Sequence, residues 1–205
     1  MSAVIASATH EPPRRAISTR RRQILVAAGP LFAERGVAAT SVRDIATAAG
    51  LKSGSLYHQF PSKEAIAGEI VAAYVEELVA AYDEVGTAKT GAERVVGLVR
   101  ASLRVMHRHP HASQIYERDA ALLREAGTPP RLRETTTGLQ EAWLAGLRDG
   151  IADGSVRPDL DVRVAFRLIR DGLWLTVKWY EPTQSYPLER LEEECIALYL
   201  AGIRS

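Results

Sequence analysis

Apolar residues recur along most of the chain at spacings of three and four positions, with almost no run that alternates apolar and polar residues. Spacings of three and four place side chains on one face of an α-helix, whereas strands repeat every second residue. Glycines, prolines and N-capping residues divide this pattern into nine segments. The sequence therefore predicts an all-α fold of nine helices.

The predicted helices are shorter near the N-terminus than in the rest of the chain. A first helix is followed by two short helices and by a fourth that reaches Val85. The expected spans are about Thr19–Arg35, a helix capped by Thr40 or Ser41 and ended by Gly50, Ser53–Tyr57 with Ser53 as its cap, Ser62 to Val85, Ala92–His109, Ala112–Ala126, Arg131–Ala152, Asp159–Tyr180 and Leu188–Ile203.

Charge is distributed unevenly along the 205 residues. The formal net charge is +1, yet residues 1–63 hold nine basic and three acidic residues, and the remainder holds 17 basic and 22 acidic ones. A basic N-terminal third on an acidic body is typical of a protein whose N-terminal unit meets a polyanion. An uneven surface without a partner is the alternative.

Several classes of protein are disfavoured by what the sequence lacks. The single cysteine, Cys195, excludes an internal disulfide and suits a reducing cytoplasm, and no apolar run has the length of a membrane span. His107, His109 and His111 lie close together, but Pro110 interrupts them and no further ligand completes a metal site. With no phosphate loop, dinucleotide motif or catalytic cluster, we expect no cofactor, no metal and no enzymatic activity.

Two short predicted helices joined by Gly50-Leu51-Lys52 have the spacing of a helix-turn-helix. In that motif the second helix enters the DNA major groove with its N-terminal residues against base edges. This second helix carries short hydroxyls and planar polar groups, at Ser53, Ser55, Tyr57 and His58. The pattern predicts binding to double-stranded DNA.

The segment GVAATSVRDIATAAGLKSGSLYHQFPSKEAI, residues 36–66, resembles the DNA-binding signature of the TetR family of regulators. The resemblance implies that certain side chains lie at positions that commonly touch DNA: Thr40, Arg43, Lys52, Ser53, Ser55, Tyr57, His58 and Lys63. Two of these have alternatives, since Tyr57 could pack on the first helix and Thr40 could serve as a cap. Arginines 14, 15 and 20–22 form either an arm that follows the duplex or a solvated tail.

The last predicted helix carries an apolar stripe at heptad-like steps. Its members are Leu188, Leu191, Cys195, Leu198 and Gly202. Packed with the preceding helix against a second copy, this stripe would form a four-helix bundle, and the TetR resemblance implies the same homodimer. A core stripe within one subunit is the alternative.

The eighth predicted helix bears what we call the cationic row, which runs beside an apolar stripe and consists of Arg163, Arg167, Arg170, Trp174 and Lys178. Guanidinium groups bind carboxylate or phosphate, and indole covers apolar surface, so the row suits an anionic ligand with an apolar body. Local pairing, such as Arg167 with Asp171, is the alternative. Trp143 and Tyr116 could complete the cavity of a small-molecule effector, although each alone fits an ordinary core.

A narrower resemblance concerns residues 157–180, RPDLDVRVAFRLIRDGLWLTVKWY, and IYERDA, residues 115–120. Both are similar to the actinobacterial repressors of cholesterol ring catabolism, which implies a CoA thioester of a steroid-ring fragment as effector. It also implies that Arg167, Arg170 and Trp174 lie beside that ligand. Another acyl-CoA, or a non-CoA effector of another lipid or drug response pathway, is the alternative.

Together these patterns predict three parts. Residues 1–17 are a disordered basic arm, residues 18–64 a helix-turn-helix head, and residues 65–205 a body that binds the ligand and dimerises. The expected function is repression at a palindromic operator, relieved by a small hydrophobic anionic metabolite. The rival classes are a helical enzyme and a nucleoid-type structural DNA binder.

Overall fold

The computed structural model describes residues 18–86, 90–126 and 132–204, which contain nine α-helices and no strand. In chain order the helices are α1 (Thr19–Arg35), α2 (Val42–Ala48), α3 (Ser53–Tyr57), α4 (Lys63–Val85), α5 (Gly91–Arg108), α6 (Pro110–Glu125), α7 (Leu132–Asp153), α8 (Val162–Trp179) and α9 (Leu188–Ile203). The predicted all-α class is confirmed.

Side-chain caps fix where several helices begin. Ser41 accepts a hydrogen bond from the Asp44 amide, and the Asp44 carboxylate accepts one from the Ser41 amide, which together form a capping box. Ser62 accepts from the Ala65 amide at the start of α4. The hydroxyl of Ser41 lowers the pKa of Asp44 by bonding its ionised form. Ser41 is therefore the cap of α2, and Thr40 is not.

Besides shifts of one residue at α5 and α7, three helix starts differ from the prediction. Ser53 is the first residue of α3 and not its cap, because the preceding residue, Lys52, holds the N-cap position without a side-chain bond. Helix α6 begins at Pro110, since proline is tolerated where no amide donor is needed. Helix α8 begins after Asp161, whose carboxylate accepts from the amides of Arg163 and Val164.

The head is built around one small apolar core. Ile24 and Phe32 of α1, Ile45 of α2 and Leu56 of α3 are each completely buried. Gly36 ends α1 with a φ of 90°, a conformation that a residue with a Cβ atom rarely adopts. The first three helices are thus held as a unit on the N-terminal part of α4.

The body packs α5 to α9 around the remainder of α4. Helices α5 and α7 cross so closely that a Cβ atom on Gly91 would lie 2.0 Å from the Gly150 nitrogen. Helix α9 is tied to α5 by Glu192, a carboxylate that is 3% exposed and accepts two hydrogen bonds from Arg104, at 2.7 and 2.9 Å. Among the described helices, none has the length and apolar content that crossing a bilayer requires.

Candidate nucleic-acid interface and ligand cavity

Helices α2 and α3 are joined by a tight turn that fixes their relative angle. Gly50 has a φ of 65°, and the Leu51 amide donates to the carbonyl oxygen of Ala46 at 2.8 Å. Leu56 is completely buried and anchors the inner side of α3. The outer side of α3 is therefore free to face a partner.

That outer side of α3, together with Arg43 on α2, carries most of the side chains that the sequence predicted to touch DNA. The exposed members are Arg43, Lys52, Ser53, Ser55, Tyr57 and His58. Tyr57 is 57% exposed, so it does not pack on α1 as the alternative interpretation required. A cationic, hydroxyl-bearing and aromatic rod of this kind can meet both phosphates and base edges.

Two predicted DNA-contacting residues have a structural role. Thr40 is completely buried and its hydroxyl donates to the Gly36 carbonyl oxygen at 2.7 Å, so its side chain is used inside the head and its contact with DNA stays a prediction. The Lys63 ammonium group donates to the carbonyl oxygens of Ala38 and Thr40, at 2.7 and 2.9 Å. These partners lie in the turn between α1 and α2, which lysine and threonine therefore stabilise together.

The arginines at the start of α1 do not act alike. The Arg21 guanidinium bonds the Glu69 carboxylate of α4, donates to the Gln59 carbonyl oxygen, and lies 3.9 Å from the centre of the Phe60 ring. Arg20 and Arg22 are exposed and could follow a duplex. Arginines 14 and 15 lie outside the described residues. Arg21 thus holds the head to α4, which the local sequence did not predict.

A cavity of about 240 Å³ lies in the body, with walls from α4, α5, α6, α7 and α8. Four of the six predicted ligand residues line it: Tyr116, Trp143, Arg170 and Trp174. Most of the remaining wall is apolar, from residues such as Leu78, Met106, Leu139, Phe166 and Leu173. An apolar cavity with a few polar groups is the usual form of a small-molecule site.

The polar aromatic groups in the wall bond one another. The Trp143 indole donates to the Tyr82 hydroxyl at 2.8 Å, and that hydroxyl is 2.7 Å from the hydroxyl of Ser102. Burial raises the pKa of Tyr82 to about 12, so its hydroxyl stays protonated. This part of the wall is satisfied without a ligand and favours an apolar group beside it.

A second aromatic group connects three helices across the cavity. The Tyr116 ring lies 5.8 Å from the Tyr74 ring and 5.9 Å from the Trp174 ring. The Trp174 indole donates to the Tyr74 hydroxyl at 3.3 Å, and the Tyr116 hydroxyl donates to Thr136 at 3.1 Å. Burial raises the pKa of both tyrosines. Helices α4, α6 and α8 therefore meet at the point where a ligand would lie.

Charged side chains lie on one part of the cavity wall. Arg170 bonds Asp171 at 2.7 Å and lies 5.3 Å from the centre of the Trp174 ring. Glu117 and Arg124 of α6 line the same cavity and were missed by the sequence analysis. Tyr116, Glu117, Ala120 and Arg124 lie on one face of the helix by their spacing. Because Tyr116 was predicted to face the ligand, this spacing could have identified Glu117 and Arg124.

Arg167 and Lys178 do not line the cavity, contrary to the single ligand-facing row that the sequence suggested. Both are exposed. The steps of 4, 3, 4 and 4 keep the cationic row on one face of α8, but this face is wide and only its edge nearest Phe166 and Leu173 borders the cavity. Arg170 and Trp174 lie on that edge, whereas Arg167 and Lys178 lie on the solvent side.

The predicted dimer stripe on α9 divides between the core and the surface. Leu191 is 3% exposed, Leu188 and Cys195 are half-buried, and Leu198 and Gly202 are exposed. Burial, together with the charge of Glu194, raises the pKa of the Cys195 thiol. Part of this stripe is therefore core within one subunit, as the alternative interpretation held.

Helix α8 adds exposed apolar residues that the sequence analysis missed. We call them, together with Leu198, the seam: Val164, Leu168, Leu175, Trp179 and Leu198 are between 47% and 71% exposed. Large side chains exposed in one stripe are typical of an interface. Their spacing of four, seven and four along α8 was the available signal, but the neighbouring cationic row drew the interpretation to a ligand.

The three neighbouring histidines have separate partners. His107 lies 3.1 Å from the Thr176 hydroxyl, and His109 lies 2.5 Å from the Glu77 carboxylate. The side chain of His111 lies beside Gly29 of α1. Within the described ranges, no group of three metal-ligating side chains is present.

Comparison with known proteins covers both the head and the body. Residues 24–70 match the family described as bacterial regulatory proteins, tetR family, and residues 88–203 match the tetracyclin repressor-like C-terminal domain. The chain is 38% identical to the HTH-type transcriptional repressor KstR2 of Mycolicibacterium smegmatis over 188 residues, which are 91% of each chain.

Solved structures agree with this assignment. The ketosteroid transcriptional regulator KstR2 of Mycobacterium tuberculosis superposes with a TM-score of 0.83 and 36% identity, over 93% of this chain and 97% of that one. AibR, solved with isovaleryl coenzyme A and operator DNA, has a TM-score of 0.75 over 87% of this chain and 97% of that one, but its 20% identity shows the fold alone. The helix-turn-helix, the helical body and both family matches establish that this chain belongs to the TetR family of DNA-binding transcriptional regulators.

Proposed function

We propose that the chain is a dimeric transcriptional repressor, released from a palindromic operator by a hydrophobic anionic metabolite, with CoA thioesters of steroid-ring fragments or other acyl groups as the effector class. The observation that carries this proposal is the identity with KstR2 repressors across 91% of the chain. A regulator of this kind works in the cytoplasm and catalyses no reaction.

The cavity supports the effector class by its size and lining. A volume of about 240 Å³ is below the roughly 300–1,000 Å³ that encloses a whole drug-sized ligand. The apolar wall suits a ring or acyl group, and Arg170 and Arg124 suit a nearby carbonyl or anion. We therefore place the apolar part of the thioester inside the cavity and the nucleotide part outside it.

Repression and release follow from two spacings of the heads. Two reading helices about 34–36 Å apart fit successive turns of a palindrome. An effector that binds one conformation of the body more tightly increases the fraction of dimers in that conformation. The spacing between the two heads changes only because the effector has different affinities for the two conformations. Helix α4 lines the cavity through Tyr74, Leu78 and Tyr82 and begins in the head, so it is the evident lever.

The first experiment selects bound sequences from a random pool of duplex DNA with the purified dimer. We expect enrichment of a palindrome whose half-sites lie one helical turn apart. A pool that stays random at low ionic strength would contradict sequence-specific regulation. A nucleoid-type binder would hold DNA without enriching any sequence.

The second experiment tests the effector class on the selected operator. CoA thioesters of ring and straight-chain acids are compared with the matching free acids, with CoA alone and with neutral steroids. Release of the operator is followed by an electrophoretic mobility shift assay. We expect release by thioesters at concentrations at which free acids and CoA alone do not act. Release by neutral compounds only would overturn the thioester assignment and favour a non-CoA effector of another lipid or drug response.

A further inference from the structure

Helix α6 reaches the end of α1 through one arginine. The Arg118 guanidinium donates to the Ala33 carbonyl oxygen at 2.9 Å and also to that of Phe32. Both carbonyls belong to the last turn of α1, where the helix dipole is negative. The Phe32 carbonyl oxygen also accepts from the Gly36 amide at 2.9 Å, so Arg118 adds a second donor there. A side chain of the body thus caps the C-terminus of a helix in the head.

Asp119 completes this contact. Its carboxylate accepts from Arg118 at 3.1 and 3.2 Å and from the Val37 amide at 3.4 Å. Asp119 is only 11% exposed, and the Arg118 guanidinium packs beside Gly36, where a Cβ atom would lie at the ordinary contact distance of 3.5 Å from it. We call Arg118 and Asp119 the latch.

The same two turns of α6 also line the ligand cavity. Tyr116, Glu117 and Ala120 border the cavity, and the latch residues lie between Glu117 and Ala120 in the sequence. No loop separates the two sets, because α6 is continuous from Pro110 to Glu125. A helix moves as a rigid rod over this length, so a shift of the cavity wall also moves the latch.

We propose that Arg118 and Asp119 are positioning residues that set the angle of the head and carry cavity occupancy to α1 through α6, a route separate from α4. Donor–acceptor distances in N–H···O hydrogen bonds of proteins are about 2.7–3.2 Å, and a contact longer than about 3.6 Å is no longer a hydrogen bond. A ligand that displaces α6 by about an ångström would therefore break the latch and release the head. With the latch intact, the two heads keep one spacing.

The test measures the distance between the two heads of the dimer by double electron–electron resonance, without DNA or ligand. A spin label is attached at Ala39→Cys, an exposed turn position, in a Cys195→Ser background. We expect a narrow distribution in this background and a clearly broader one in Arg118→Gln. Arg100→Gln, which removes an exposed arginine of α5, is the matched control and should stay narrow. An equally narrow distribution for Arg118→Gln would overturn the proposal.

Folding is checked separately, so that a damaged protein is not mistaken for a released head. Arg118→Lys and Asp119→Asn keep more of the contact and should give intermediate widths at an unchanged melting temperature. If these variants differ from the background only in melting temperature, the latch is structural and does not position the head. Operator affinity should fall about tenfold in Arg118→Gln if the heads hold the competent spacing about a tenth of the time. This arm depends on the proposed operator, whereas the distance measurement does not.

Transmission from the cavity is tested with a substitution that fills it. Ala120→Phe places a ring in the cavity wall and displaces α6 as an occupant would. We expect it to change the distance between heads when Arg118 is present and to have less effect in Arg118→Gln, which is the signature of coupling in a double-mutant cycle. Equal effects in both backgrounds, or none in either, would overturn the latch as the transmitting contact.

Discussion

Among the residues that the structure describes, three cationic side chains donate to main-chain carbonyls of the head. Arg21 bonds the Gln59 carbonyl, Lys63 those of Ala38 and Thr40, and Arg118 that of Ala33. Each partner lies many positions away in sequence, so local pattern could not separate these residues from phosphate-binding ones. The N-terminal third has an excess of six positive charges, but fewer than six are available for DNA because Arg21 and Lys63 are bonded within the protein.

Lys63 and Lys52 provide a matched pair for this distinction. Lys63→Met leaves carbonyls in the α1–α2 turn without a donor and should lower the free energy of unfolding by roughly 1–2 kcal/mol. Lys52→Met removes an exposed charge, so it should leave stability unchanged and reduce the salt slope of operator binding by about 0.9. Urea unfolding measures the stability of each variant, and a salt titration measures the salt slope of its operator binding. If Lys63→Met changed the salt slope and Lys52→Met changed the stability, Lys63 would be the phosphate-binding residue.

The cavity arginine has a neighbour on the same helix that serves as its control. Arg170 lines the cavity, whereas Arg167, three residues earlier, is exposed outside it. Arg170→Gln should raise the thioester concentration needed for release by about ten- to hundredfold, since a charge-assisted hydrogen bond is lost. Operator binding without thioester should not change, and Arg167→Gln should behave as the parent protein does. Equal responses of the two variants in release titrations would remove Arg170 from the ligand site.

His107 makes stability depend on pH in a predictable direction. Burial lowers the pKa of His107 below its ordinary value of 6.5, so near that pH the unfolded chain binds a proton that the folded chain does not. The free energy of unfolding should therefore fall as the pH drops through 6.5 and should level off below the folded pKa. In His107→Gln this component is absent. Urea unfolding between pH 7.5 and 5.5 compares the two proteins, and parallel pH curves would contradict the assignment.

Helix ends match the prediction where the sequence offers one capping residue, and they differ from it where two capping residues compete. Ser62 and Gly36 mark their helix ends as predicted, since each acts through atoms within a few residues. At α8 two aspartates two positions apart could each cap the helix, and only the observed bonds to following amides select Asp161. Which helix packs on which face, by contrast, depends on the crossing angles between helices. The periodicity of a single helix does not predict these angles.

The α5–α7 crossing gives a prediction at this scale. Gly91→Ala would bring a Cβ atom to 2.0 Å from the Gly150 backbone nitrogen, so the helices must separate, at a cost of roughly 1–3 kcal/mol. Gly138→Ala on α7 meets nothing within 4 Å and should stabilise the protein by up to about 1 kcal/mol through its higher helix propensity. Chemical unfolding of both variants is the measurement. A neutral Gly91→Ala would mean that the crossing is looser than described.

At the scale of the molecule, membership of the family implies a dimer, and we propose the seam as its surface. Its members are Val164, Leu168, Leu175 and Trp179 of α8 and Leu198 of α9. The sequence predicted the partner and the helices but selected inner residues such as Leu191, because a stripe on a helix does not reveal which of its edges a neighbouring helix covers. Only the relative placement of α8 and α9 settles that.

A charge in the seam should separate the protomers. In a twofold dimer each substitution occurs twice, so Leu168→Glu should weaken dimerisation by about a hundredfold or more. Val26→Glu changes an equally exposed apolar residue of α1, outside the seam, and should leave the dimer intact. Sedimentation velocity measured over a concentration series distinguishes monomer from dimer. A fully dimeric Leu168→Glu would place the interface elsewhere.

The arrangement of the tryptophans has a practical consequence. The chain has three: Trp143 and Trp174 border the cavity, and Trp179 is 65% exposed on the seam. Indole emission depends on the polarity around the ring, so the protein carries its own optical reporters of filling and of association. Replacing Trp179 by phenylalanine would leave a signal that comes only from the interior, and unlabelled compounds could be titrated directly.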